Sequence, residues 1–188
     1  RTEGRSALDS PAPVDVIGGE TMSNQGDTDM SNLLRNVVPS YNVNDQPISD
    51  AATLVRPANL RGLAPDHTLM LVNGKRRHRA SVITWLGNGI SNGSQGPDAA
   101  AIPALALKRI EVLRDGASAQ YGSDAIAGVM NFVLNDAREG GSVEVRYGEY
   151  QEGDGEQVTI AGNIGLPLGD SGFLNLTAEW GESDPTSR

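Results

Sequence analysis

The stretch Thr68-Leu69-Met70-Leu71-Val72-Asn73-Gly74-Lys75-Arg76-Arg77-His78-Arg79 decides how the chain is read. Its first half is a short continuous apolar run, as expected of a strand buried on both faces. Asn73-Gly74 follows at once and supplies the positive φ values that a tight hairpin turn needs. Thr68–Val72 and Lys75–Arg79 are therefore predicted to pair.

On the N-terminal side, Val14–Ile17 reads as a short strand closed by Gly18-Gly19. Met30, Leu33, Leu34, Val37 and Val38 fall at the spacing of one helical stripe. Asp27 is the expected cap, and Pro39 stops the helix because the residue before a proline avoids the α region. Residues 40–52 read as loop, and Thr53–Leu63 as extended chain placed at an edge by Pro57. Residues 1–13 are a polar, mobile lead-in.

On the C-terminal side, residues 80–98 form a long loop rich in Gly, Ser and Asn, of the kind that is functional or disordered. Pro103 suits the first turn of a short helix ending at Leu107. Ile110–Leu113 and Val129–Leu134 are strands. Between them, Gly116–Tyr121 and Asp124–Ala127 are short turns or helices. Up to residue 139 the expected class is α+β, a small mixed sheet with short helices.

Beyond Gly140-Gly141 the pattern changes. Val143, Val145 and Tyr147 alternate with Glu144, Arg146 and Gly148. Two further period-2 segments run through Val158–Ile164 and Leu174–Trp180, separated by Gly- and Asp-containing turns. Alternation of this length, with aromatics near segment ends, fits transmembrane β-barrel strands. On periodicity alone a soluble antiparallel meander, wet on one face, is the favoured reading, because the barrel signal per strand is weak.

Composition sets the bounds. The chain has 188 residues, no Cys, two His and a net charge of −9. Leu, Ile, Val and Phe make up 22% of it, barely above the ~20% level associated with disorder. A lean core is expected. The charge is uneven: residues 1–139 carry 13 basic and 15 acidic side chains, and residues 140–188 carry 2 and 9. The longest run without a polar residue is nine, Ala99–Leu107, far short of the ~20 that a membrane-spanning helix needs. Without Cys there is no thiolate chemistry, and His67 and His78 alone make a structural zinc site an unfavoured reading. The acidic balance argues against nucleic acid. No Gly-x-Ser-x-Gly elbow, phosphate-binding glycine loop or EF-hand spacing occurs, so neither an enzyme nor a bound cofactor is expected.

Three ordered motifs raise the reading above fold class. They are Asn59-Leu60-Arg61-Gly62-Leu63 with the hairpin after it, Ile102-Pro103 with Lys108-Arg109-Ile110-Glu111-Val112-Leu113-Arg114, and Ala117–Asn131, which contains Gln120-Tyr121-Gly122-Ser123-Asp124. In this order they resemble the plug domain of TonB-dependent outer-membrane receptors, over about Ser10 to Asn135. The resemblance implies a lead-in at 1–10, a plug at 11–139 and the first two to three barrel strands at 140–188. A complete barrel of this kind has about 22 strands. The chain is thus expected to be a piece of a longer receptor, with most of its own barrel missing. No TonB box is recognisable, and Asp115-Gly116 stands where many members have Gly-Pro.

The function implied is energised uptake of a scarce nutrient at the outer membrane of a Gram-negative bacterium. An iron–siderophore complex is the default cargo, with another metal chelate or a carbohydrate open. TonB is the implied partner, through a segment N-terminal to this chain. The alternative is a soluble α+β ligand- or protein-binding module with an antiparallel extension. The basic cluster and Trp85 are candidate site residues by their chemistry, and the resemblance adds Arg61, Glu111 and Arg114. Arg77, His78 and Arg79 are either a solvated hairpin arm pairing with lumen carboxylates or a contact for an anionic ligand. Arg61 is either a structural ion-pair residue or a ligand contact at a plug apex. Trp85 is either a ligand platform or packing for its loop. Glu111 and Arg114 are expected to form ion pairs between plug and barrel wall. Strands 142–188 are expected to pair irregularly without the rest of the barrel, because open edges invite association.

Overall fold

The computed structural model describes residues 14–43, 55–84, 89–114, 117–151 and 153–186. The lead-in at 1–13, most of the 40–52 loop and Trp85 lie outside these residues.

Five strands form the central sheet: β1 (Val14–Gly18), β4 (Thr68–Val72), β5 (Lys75–Arg76), β6 (Leu107–Leu113) and β7 (Gly128–Leu134), in the order β1-β6-β7-β4-β5. The β4–β7 pair is parallel and the other three pairs are antiparallel. This is the expected mixed sheet. β4 is buried on both faces. Met70 joins the larger core cluster with Met130, Ile110, Val112 and Phe132, while Leu69 and Leu71 pack on the other face with Ala117, Ala125 and Val129. That is why its sequence is a continuous apolar run and not an alternating one.

The hairpin forms at Asn73-Gly74, both with positive φ. Its second arm is shorter than expected. Only Lys75 and Arg76 pair with β4, and Arg77 adds one further backbone bond to the Met70 carbonyl at 2.9 Å. Asn73 does more than turn the chain. Its Oδ1 accepts from the Leu134 amide at 2.9 Å, and Asn131 Oδ1 accepts from the Gly74 amide at 2.9 Å. Asn73→Ala should therefore lower stability by about 1–2 kcal/mol, from one lost hydrogen bond plus a left-handed residue without a local side-chain partner. A urea titration followed by circular dichroism reads this.

Over the larger-cluster face lie α1 (Gly19–Ser23) and α2 (Met30–Val37). Met30, Leu33 and Leu34 of the predicted stripe form the buried face of α2, Val37 is partly buried, and Val38 is buried just past the helix end. The cap sits two residues later than expected. Asp29 accepts from the Ser31 amide at 2.8 Å, while Asp27 braces the turn by accepting from the Asp29 amide at 2.9 Å. α1 was not foreseen. Gly18-Gly19 does not simply end a strand, because Gly19 begins a helix laid directly on β6. A Cβ there would stand 2.0 Å from the Leu107 carbonyl oxygen. Tyr41–Val43 (β2), expected as loop, pairs with β3 (Ala58–Leu60) in a separate two-stranded sheet. All four methionines, Met22, Met30, Met70 and Met130, are at most 1% exposed. Flexible thioethers fill a core that holds few aromatics.

The helix expected after Pro103 is a single 3-10 turn, Ala104–Ala106, and β6 starts immediately at Leu107. α3 (Ala117–Tyr121) and a second 3-10 turn at Ser123–Ala125 lead into β7 through Gly128. Gly128 has φ +145°, and a Cβ there would lie 2.6 Å from the Leu113 carbonyl oxygen. No other residue fits.

The last three strands are β8 (Gly141–Gly148), β9 (Gln157–Leu168) and β10 (Gly172–Ser183). They form a regular antiparallel meander in the order β10-β9-β8. The irregular pairing expected is not seen. The register runs unbroken over twelve residue pairs between β9 and β10 and eight between β8 and β9. The polar inner face packs on the plug and supplies this order. The outer face carries Val143, Val145, Tyr147, Ile160, Ile164, Leu174, Leu176 and Trp180, all exposed. The inner face includes Ala161 and Asn163, both buried. A soluble meander turns its apolar face inward. Here the sense is inverted, as in strands whose outer solvent is lipid.

Candidate functional site

β4 and β7 begin side by side, with Thr68 opposite Gly128. Their far ends lie near Asn135, where the chain crosses to β8. The turns preceding the two strands therefore gather at one end of the sheet. The Pro65–His67 turn brings Asp66 there, and the Ser123–Ala125 turn brings Asp124. The hairpin returns Arg76, Arg77 and Arg79 to the same end.

The result is a cleft of about 120 Å³, lined among others by Asp66, Thr68, Arg76, Arg77, Arg79 and Asp124. Arg76 is ion-paired with Asp124. Arg77 Nε donates to the Asp98 carbonyl at 3.0 Å. Asp66 Oδ1 accepts from the Gln95 amide at 3.0 Å, which ties in the 80–98 loop. Arg79 makes no hydrogen bond or ion pair with any described residue. Two of the three clustered candidates, Arg77 and Arg79, thus meet in one cleft. His78 is exposed and outside its lining.

Arg61 lies elsewhere. It occupies a left-handed conformation (φ +58°) beside Gly62, in a turn closed by the Leu63 amide on the Leu60 carbonyl at 3.1 Å. A non-glycine residue held there is strained. The surroundings fix it: its amide donates to the Ser40 carbonyl at 2.9 Å, and its Nη1 to the Arg114 carbonyl at 2.6 Å. Arg114 in turn is ion-paired with Asp15 on β1. Glu111 accepts from Arg109 Nε at 2.7 Å and from Asn131 Nδ2 at 2.9 Å. The contacts of Glu111 and Arg114 are thus inside the plug. Their pairing with a barrel wall stands as a proposal for strands beyond these three.

The described residues of loop 80–98 are tied together more closely than the loop's composition suggests. Thr84, Ser91 and Ser94 are buried and bonded to one another. The Thr84 amide donates to the Ser94 carbonyl at 2.9 Å, and the Gly93 amide to the Thr84 carbonyl at 2.6 Å. Asn59 Nδ2 reaches Ser91 Oγ at 3.4 Å and anchors the knot to β3. Nothing in a run of small polar residues announces such a knot, since the bonds from Thr84 and Asn59 join residues 7 to 32 apart through loop closures.

Sequence reasoning also missed the contact between plug and strands. Arg146 on β8 and Asn163 on β9 are its main groups. Asn163 Nδ2 donates to Asn175 Oδ1 at 2.6 Å and to Thr177 Oγ1 at 2.7 Å, and its Oδ1 accepts from Asn135 Nδ2 at 3.3 Å. Their inward positions in the alternation were the available signal. At the crossing, Lys108 Nζ holds both Asp136 oxygens at 2.8 and 2.9 Å. That hydrogen bond keeps the Asp136 carboxyl below the usual carboxylate range. In the core, burial pushes the Tyr41 hydroxyl above its ordinary pKa. Among the described residues no group of three His, Asp or Glu is placed to hold a metal.

The comparisons agree with this architecture. The family model for the TonB-dependent receptor plug domain matches residues 6–129. The ferrienterobactin receptor of Escherichia coli is 29% identical over 134 residues, covering 70% of this chain and 17% of that protein. The ferric enterobactin receptor of Pseudomonas aeruginosa is 32% identical over 127 residues, covering 66% and 16%. The chain therefore spans about a sixth of the length of these relatives. The crystal structure of the siderophore receptor PirA from Acinetobacter baumannii superposes with a TM-score of 0.68 at 26% identity, over 94% of this chain and 25% of that one. The superposition extends past the plug into the strands, and the chain belongs to the TonB-dependent receptor plug family.

Proposed function

We propose that this chain is the plug and first barrel strands of an outer-membrane receptor that imports a ferric siderophore, energised by TonB acting on a segment N-terminal to it. The observation that carries the reading is the pairing of a plug with strands whose exposed face is apolar. The matched proteins are receptors for ferric enterobactin and related siderophores, which supports an iron chelate as cargo. A plug in a polar lumen has no apolar outer surface to bury, and that fits a core confined to two clusters, one on each face of a small sheet.

The connection between β8 and β9 spans residues 149–156, and that between β9 and β10 only 169–171. Outer-membrane barrels keep short turns on the periplasmic side and long loops outside. On that rule the start of β8 is periplasmic, and the cleft at the opposite end of the plug sheet faces outward. Arg77 and Arg79 are then available to a ferric chelate, which is commonly anionic, with Arg61 at a neighbouring apex. The steps proposed are binding at the plug's outer end, a loosening that reaches β1 through Arg61, Arg114 and Asp15, and a pull that opens a path.

Uptake of labelled ferric siderophore by cells making the complete receptor tests this. Uptake that stops when the proton-motive force is collapsed is expected. Double replacement of Arg77 and Arg79 by alanine should weaken binding of an anionic ferric chelate by about tenfold or more, on the scale of losing charge-assisted hydrogen bonds. If the receptor never reaches the outer membrane, or carries no ferric chelate at all, the proposal fails.

A further inference from the structure

Arg146 is the one described basic residue in strands β8 to β10, and its side chain turns into the plug. Nε donates to Glu144 Oε1 at 2.6 Å. Nη2 lies 2.5 Å from the same carboxylate and donates to the Ser23 carbonyl at 2.6 Å. Nη1 donates to the Asp27 carbonyl. One guanidinium thus grips the plug at two points four residues apart.

These two points have a particular place in the fold. Ser23 is the last residue of α1, and the final carbonyls of a helix have no partner within it. The last turn of α1 carries no basic residue of its own. Asp27 stands at the turn into α2, where its side chain braces Asp29 and Asp29 both caps α2 and pairs with Arg56. Arg146 therefore serves as the missing cationic cap of α1 and holds the joint between the two helices. Glu144 fixes the guanidinium plane, and Glu179 on β10 lines the same small cavity. The second plug contact, through Asn163, Asn175, Asn135 and Ala137, holds the other end of the plug chain at its exit to β8. The strands thus grip the plug at its N-terminal third and at its C-terminal exit, and among the described residues only the first grip uses charge.

We infer that Arg146 is a latch between the first barrel strand and the α1–α2 joint. It pins the end of α1 and the turn into α2 to β8, so that β1, upstream of the grip, can leave the sheet edge while the joint and the remainder stay seated. β1 suits this because it is an edge strand, paired on one side only. The link to opening rests on the transport reading above. The latch itself does not, and it is tested without transport.

The test is hydrogen exchange by mass spectrometry on the 188-residue chain in detergent micelles, comparing Arg146→Gln and Arg146→Lys with the parent sequence. The amides of Asn24, Gln25 and Asp29 report the joint. Those of β7 report the sheet. In Arg146→Gln, exchange over residues 22–29 should rise by about tenfold or more, the scale of losing hydrogen bonds from a charged donor, with β7 unchanged. Arg146→Lys should fall between, since an ammonium cannot span both carbonyls and Glu144 in the fork geometry. Unchanged exchange over 22–29 overturns the latch. So does an equal rise over 22–29 and β7 in the lysine variant, which would mean general destabilisation. Failure of the chain's complete receptor to carry a ferric chelate would overturn the transport reading and leave these rates as they are.

Discussion

Phe132→Ala should lower the unfolding free energy of the plug by about 3–5 kcal/mol, the range for removing a fully buried aromatic side chain. Phe132 is 0% exposed and lies on β7 between β6 and β4, opposite Ile110 on one side and Val72 on the other. It is one of only two phenylalanines, and Met22, Met30, Leu33, Leu34 and Met70 share its cluster. Domains are stable by only about 5–15 kcal/mol, so the variant should be largely unfolded under mild denaturant. The methionines can relax into part of the cavity, which places the expected cost toward the lower end of the range. Leu174→Ala is the matched control. Leu174 is 40% exposed on the outer strand face, and its loss should leave the urea midpoint of the plug unchanged. A cost below about 1 kcal/mol for Phe132→Ala would place it with ordinary surface substitutions and contradict this core.

The second large effect separates a membrane face from a wet one. Leu176→Arg should abolish the apolar character at the centre of β10, where Leu176 is 51% exposed on the same face as Trp180 at 54%. In a bilayer, an arginine at the midplane of a lipid-facing strand costs about 2–4 kcal/mol. On a soluble meander the same change is close to neutral, because the side chain already meets water. Trp180 is the built-in reporter. With Trp85 replaced by Phe, its fluorescence should shift to the blue when the chain meets detergent micelles, and Leu176→Arg should reduce that shift. Glu179→Gln, on the inner face of the same strand, should leave it intact. An unshifted Trp180 in micelles would show the outer face to be a water-exposed one.

Much of the fold was legible because it rests on short-range rules. The β4 run, the Asn73-Gly74 turn and the α2 stripe each state their structure within a dozen residues. The errors share one cause. α1, β2 and the Thr84–Ser91–Ser94 knot are made by partners distant in sequence: Leu107 under Gly19, β3 beside β2, Asn59 behind Ser91. Local propensity at these positions is weak, and packing decided them. The candidate site divided in the same way. The basic cluster at 75–79 was visible in the sequence, whereas its carboxylate neighbours Asp66 and Asp124 were not, because parallel pairing of β4 with β7 brings them there.

The alternation in 142–180 shows best what each level supplies. The sequence alone established three amphipathic strands and their turns, because a period of two dictates two unlike faces; β9 and β10 run longer than the alternation showed, to twelve residues each. It did not say which face is turned to the protein. Val145 and Arg146 are equally good strand residues, and either solvent could lie on either side. The tertiary structure settled the sense by seating Arg146 and Asn163 on a polar plug. A half-buried guanidinium and a buried amide must find hydrogen-bond partners, and the plug's free carbonyls and asparagines provide them. That leaves Val145, Leu176 and Trp180 facing out.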